Sequence, residues 1–135
     1  MNNEFETMIG EVLSSIDIDT KENQILLTTK SGRIFKFYHE QDCCESVTIN
    51  GLVVGDIQKL VGGVIQEITK EESTVEVEYD SRTDTTLTFK IDEHTVISNW
   101  IGESNGYYSE SVDFQEIDKL GKRVYRDNNI NRHSL

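Results

Sequence analysis

The stretch Gln24-Ile25-Leu26-Leu27-Thr28-Thr29-Lys30-Ser31-Gly32-Arg33-Ile34-Phe35-Lys36-Phe37-Tyr38-His39 decides the fold class. Ile25, Leu27 and Thr29 share one face of an extended segment, and Phe35 and Phe37 share one face of the next. Lys30-Ser31-Gly32-Arg33 between them has the composition of a hairpin turn. A period of two on both sides of a glycine-bearing turn predicts paired antiparallel strands.

The same pattern continues in both directions. Ile16 and Ile18 alternate with Asp17 and Asp19, and Asp19-Thr20-Lys21-Glu22-Asn23 reads as a polar turn. Val47–Asn50 is a short strand, Val64–Thr69 another, and Val75, Val77 and Tyr79 alternate against Glu76 and Glu78. Leu87, Phe89 and Ile91 alternate next, and Val96–Ile101 is apolar on both faces except at Ser98 and Asn99, as in a central strand. Ser104-Asn105-Gly106 turns the chain, and Tyr107–Phe114 reads as a returning strand. Asp56 is placed to cap one short helix near residues 56–61, stopped by Gly62 and Gly63.

Composition agrees with a sheet. The 135 residues contain no alanine and no proline, while Val, Ile and Thr number 37. These β-branched side chains suit a pleated surface, and the best helix former is missing. Connections too short for parallel crossovers make the fold mainly β: an antiparallel curled sheet, an open barrel or a small sandwich with one short helix. The length, with 36% hydrophobic residues, matches one globular unit. We assign residues 1–117 to a single β-rich domain and 118–135 to a polar, basic C-terminal tail.

Charge is divided along the same boundary. The net charge of -12 separates into -15 over residues 1–117 and +3 over residues 118–135. An acidic body repels nucleic acid and anionic membranes, so direct nucleic-acid binding is not expected. It attracts basic protein surfaces, or simply keeps the chain soluble. No apolar run approaches a membrane span, and Met1-Asn2-Asn3-Glu4-Phe5-Glu6 is unlike a signal peptide. The only cysteines, Cys43 and Cys44, are adjacent; bonding them would close a strained ring, so reduced thiols in a cytoplasm are expected.

Two polar clusters carry chemistry. His39-Glu40-Gln41-Asp42-Cys43-Cys44-Glu45 gathers imidazole, carboxylates and thiols. Zinc needs about four converging ligands, and this run has no second pair, so no metal or cofactor is expected. A Cys/His nucleophile would require the imidazole to reach a thiol. The plainer alternative makes His39 a hydrogen-bonded core residue beside Phe35 and Phe37.

The second cluster runs Trp100-Ile101-Gly102-Glu103-Ser104-Asn105-Gly106-Tyr107-Tyr108-Ser109-Glu110. Its Gly102-Glu103-Ser104-Asn105-Gly106 matches the nucleophile-elbow pattern, but an elbow is followed by a helix and this stretch is not. Alternation with Val112 and Phe114 points Tyr108 and Glu110 inward, and an inward carboxylate needs a partner. A β-bulge near Ser109 would instead return Glu110 to solvent. With Trp100 and Tyr108 as walls and Ser104, Asn105 and Tyr107 as polar contacts, this composition fits a pocket for a polar, ring-containing ligand. The candidate ligand-binding set is His39, Asp42, Glu45, Trp100, Ser104, Asn105, Tyr107, Tyr108 and Glu110, with His39 paired to Glu110, or joined to it by a shared ligand, so that the two clusters converge.

Tyr38-His39-Glu40-Gln41-Asp42-Cys43-Cys44-Glu45, together with Trp100 through Val112, resembles a family of small proteins of unknown function found in bacteriophages and bacteria. The resemblance covers residues 9–117 and brings no catalytic residues. It implies a phage-type source, action in a host cytoplasm, and the counter-defence role common among small phage accessory proteins.

Three functions follow. The first is a non-enzymatic binding protein that sequesters a small polar or nucleotide-like signal. A phosphorylated ligand would need local cations, with Arg33, Arg82 and the tail as candidates. The second is an acidic protein-binding inhibitor or nucleic-acid mimic. The third is a small enzyme using His39, Cys43 or Cys44, and a carboxylate. Candidate partners are a small polar molecule, a host protein and a second copy of the chain; a membrane is not among them.

Overall fold

The computed structural model describes residues 4–125. Among the described residues nine strands form two antiparallel sheets. They are β1 (Leu13–Asp19), β2 (Gln24–Thr29), β3 (Ile34–Tyr38), β4 (Ser46–Val53), β5 (Ile65–Val77), β6 (Asp80–Ile91), β7 (His94–Ser104), β8 (Asp113–Ile117) and β9 (Arg123–Val124). One sheet has the order β1-β2-β3-β8-β9 and the other β4-β7-β6-β5. Of the expected architectures, the two-sheet sandwich is the one formed, and among the described residues no barrel closes.

The hairpin quoted at the outset is β2–β3, with Leu27 opposite Phe35 and Ile25 opposite Phe37. Those inward side chains meet Leu87, Phe89, Ile91, Val96 and Trp100 of the second sheet in one core. All five phenylalanines join a single ring cluster. Phe37 packs edge-on against Phe89 at 5.1 Å, which spans the gap between the sheets, and it also touches Phe5 and Phe114. Phe5 arrives on a lead-in that bonds β5 through Gly10 N–H to the Ile65 carbonyl. Arg33 locks the same corner: its guanidinium grips Glu116 through two bonds at 2.9 and 3.2 Å and also reaches Glu11 and the Thr7 carbonyl.

Several elements differ from expectation for local reasons. The helix near 56–61 is only a 3-10 turn, Ile57–Lys59, capped by Asp56 accepting from Gln58 N–H. Three residues are too few for α-helical bonding to propagate. The separate strands expected over 64–69 and 74–79 are one strand, β5, which pairs with β6 as far as Val77 opposite Asp80. The joining turn is Glu78-Tyr79, where Glu78 takes φ 52 without glycine, so the usual hairpin signal is absent. Tyr107–Val112 is a loop rather than a strand, and β8 starts at Asp113.

The expected tail begins as part of the sheet. Asp118 organises a turn by accepting from Leu120 and Lys122 N–H, and Arg123 then pairs with Ile117 and Val124 with Glu116. Residues from Arg126 onward lie outside the described residues.

Phe37 is fully buried and shared by both sheets. We expect Phe37→Ala to lower unfolding free energy by about 3–5 kcal/mol, measured by urea titration. Removal of the exposed Tyr79 ring should change it by no more than about 0.5 kcal/mol.

Candidate functional site

Both sequence clusters lie at one end of the sandwich. The inner face of β6 shows why that end is polar. Ser81, Thr83, Thr85, Leu87, Phe89 and Ile91 are all buried and all in phase, so one face changes from hydroxyl to hydrocarbon along a single strand.

Glu110 fills the hydroxyl end. Its Oε1 accepts from Thr83 Oγ1 at 2.8 Å and from Ser81 Oγ at 3.1 Å, and its Oε2 accepts from Ser104 Oγ. Ser104 in turn accepts from Gly106 N–H, and Thr74 bonds Thr83, so donors are chained behind the carboxylate. Glu110 faces inward as expected, although a loop rather than strand alternation places it there. The loop rests on Gly102: a Cβ at that position would lie 2.5 Å from the Glu110 carbonyl oxygen and 2.7 Å from its Cβ.

His39 and Glu45 form the other half. His39 Nε2 lies 2.6 Å from Glu45 Oε2, and Nδ1 lies 2.8 Å from the Ser111 carbonyl, with Asp113 at 3.7 Å. Both ring nitrogens are thus engaged, one by a carboxylate and one by a backbone carbonyl. Glu45 also accepts from Asp42 N–H at 2.7 Å and Cys43 N–H at 3.0 Å. These two N–H groups and the His39 ring hold its carboxyl at about 2, below an ordinary 4.5.

The expected pair of His39 with Glu110 does not form, because each has nearer partners of its own. The clusters nevertheless meet across the chain. His39 bonds Ser111, the neighbour of Glu110, and Glu40 N–H bonds the Asp113 carboxylate. The expectation of free thiols is corrected: Cys43 and Cys44 are joined in a vicinal disulfide and exposed at the turn that Glu45 organises. Adjacent side chains on one short turn reach each other without any other segment moving.

A cleft of about 860 Å³ opens beside this end. Ser104, Asn105 and Tyr108 line it, as do Ser46, Ser81 and the disulfide residue Cys44. Register sets one exposed row straight across the sheet: Ser46, Glu103, Arg82 and Val75 from β4, β7, β6 and β5. Asp80, Asp84 and Val77 complete the lining. Three carboxylates thus face one guanidinium, which is itself bonded to Asp84 at 2.9 Å.

The remaining candidates separate. Trp100, 1% exposed, is a core residue whose Nε1–H bonds Ser98, and it forms no wall of the cleft. Tyr107 projects into solvent at 86% exposure. Asp42 contributes its backbone N–H to Glu45 while its side chain is exposed. Arg33 is engaged with Glu116 and Glu11, leaving Arg82 as the cleft's cation. Sequence reading passed over Ser81 and Thr83; the signal was their phase with Leu87, Phe89 and Ile91.

Among the described residues no group of three or more His, Cys, Asp or Glu side chains is placed to hold a metal ion, and no helix is long and apolar enough to cross a membrane. The model of a domain of unknown function, DUF7448, matches residues 6–114, and the chain belongs to that family. No curated protein and no solved structure matches it.

Two outcomes test this geometry. Gly102→Ala drives a methyl into the Glu110 backbone and should cost about 1–3 kcal/mol of stability. Gly51→Ala, whose nearest contact would be Asn99 at 3.5 Å, should stay within about 0.5 kcal/mol in the same chemical denaturation. The second outcome concerns acid. A carboxylate held below its ordinary value stabilises the fold fully above about pH 4.5 and loses that contribution as pH falls towards 2. Glu45→Gln should therefore melt below the parent protein near neutral pH, and the gap should close across that window.

Proposed function

We propose that this protein is a non-catalytic binding protein whose cleft sequesters a small polar molecule. One observation carries the reading: Ser81 and Ser104 line the cleft and both donate to the buried Glu110. Their protons are committed to the carboxylate, and Ser104 Oγ also accepts from Gly106 N–H, so the polar groups at the floor of the cleft are held in fixed orientations. Val75, Val77 and Tyr108 add apolar surface for a ring. The cleft volume lies in the range of small-ligand sites.

The lining also selects charge. Asp80, Asp84 and Glu103 outnumber Arg82, which disfavours a phosphorylated ligand and favours an uncharged or cationic molecule rich in donors. A nucleoside without its phosphates, an amino sugar or an aromatic amine has that character. The occupied His39 ring supports a non-catalytic role, since both its nitrogens are engaged and the cysteines are bonded to each other. The sequence resemblance to phage proteins adds the biological setting: a phage-encoded counter-defence factor removing a signal in the host cytoplasm.

A thermal-shift panel of nucleosides, nucleotides, amino sugars and polyamines tests this. A true ligand at a hundredfold its Kd stabilises by about 2.7 kcal/mol. We expect stabilisation by unphosphorylated compounds, weakened by about 1–3 kcal/mol in Glu110→Gln, which misorients the two serines. A panel without effect, preference for phosphorylated members, or an equal response from Glu110→Gln and Tyr108→Ala would overturn the reading.

A further inference from the structure

β5 is an outer strand of unusual length. Only its first residue is bonded on the outer side, where Ile65 exchanges bonds with Gly10 and Glu11. Beyond Ile65, among the described residues, no backbone group other than those of β6 pairs with it. Over Glu71–Val77 the strand is exposed on both faces. Such an edge presents alternate N–H and C=O groups to any extended chain, and folded proteins ordinarily shorten, cover or kink it.

Side chains around the edge define what fits. Val75 and Val77 are 60% and 63% exposed on one face, and Glu72, Thr74 and Glu76 alternate on the other. Among the described residues Glu71, Glu76 and Glu78 form no salt bridge, and Lys70 meets Glu72 only at 3.8 Å. A second copy of the chain is a poor occupant. Antiparallel self-pairing centred on Thr74 opposes Glu72 to Glu76, and a shift of one residue opposes Glu71 to Glu76 or to Glu78. Like charges directly opposite destabilise a sheet.

We propose that the free edge of β5 over Glu71–Val77 docks an extended, lysine- or arginine-bearing segment of a partner protein, which adds a fifth strand to the sheet. Backbone bonds hold the segment, its basic side chains meet the glutamates, and its apolar side chains cover Val75 and Val77. This goes beyond the small-ligand reading: the two share Val75 and Val77, which also line the cleft, but the edge acts through the outer backbone groups and glutamates of β5 while the cleft acts through Ser81, Ser104 and Tyr108.

The full chain is titrated with a synthetic peptide of about eight residues alternating lysine with valine, N-methylated at every second residue to prevent self-association. Amide shifts are followed by NMR and affinity by fluorescence anisotropy. Expected are shifts concentrated in Glu71–Val77, loss of binding on methylating every amide, and preference over the glutamate version. Reversing Glu72→Lys and Glu76→Lys together, both on the face that meets the lysines, should weaken the lysine peptide about tenfold and invert that preference, with an unchanged melting temperature because both positions are exposed. Tyr108→Ala should bind the peptide normally, which separates failure here from failure of the cleft. The proposal is overturned by shifts spread over the acidic body, by equal binding of the fully methylated peptide, by absence of binding at low salt, by loss of binding in Tyr108→Ala, or by a dimer that occupies this edge in sedimentation.

Discussion

Phe37 is the contact on which the molecule depends. It lies on β3, packs edge-on against Phe89 across the sheet gap, and touches Phe5 and Phe114 on either side. Neither sheet can bury its inner face alone, and each supplies the other's apolar cover. Phe5 draws the lead-in onto this cluster, and Arg33 fastens that corner with Glu116 and Glu11. Everything placed at the opposite end depends on the sheets being held at this spacing.

That opposite end solves a different problem. The inner face of β6 becomes hydroxyl-bearing at Thr83 and Ser81, and hydrocarbon could not satisfy those groups. A loop brings Glu110 over Gly102 and gives three of the surrounding hydroxyls a carboxyl acceptor. Next to it, Glu45 gathers two backbone N–H groups and the His39 ring, and His39 binds the same loop through Ser111. Two buried carboxylates are thus met in two ways, one by neutral donors and one by an imidazole and the backbone. The result is a floor whose polar groups are already oriented by these bonds.

The acidic surface then acts at two places with different neighbours. In the cleft, carboxylates lie beside serine hydroxyls and a tyrosine. Along β5, they flank an open strand edge and two exposed valines. Charge alone describes solubility; charge beside an unsatisfied or preorganised surface describes a preference for a partner.

Alternation alone was enough to establish strands, antiparallel pairing and the inward faces of Phe35, Phe37, Leu87 and Phe89, whereas Glu110 points inward because a loop places it there. The two motif clusters could also be seen as chemically dense. The Glu78-Tyr79 turn was not legible, because its φ 52 residue is not glycine, and so β5 was read as two strands. The brevity of the turn at Ile57–Lys59 was hidden for a similar reason, since capping marks a start and not a length. Trp100 looked like a ligand wall because sequence shows amphipathic surface but not what covers it. Partner choice belonged to tertiary structure: His39 with Glu45, Glu110 with Ser81, Thr83 and Ser104. A period of two states which way a side chain points, while its neighbours are set by strand order, register and a glycine that lets a distant loop lie flat against the sheet.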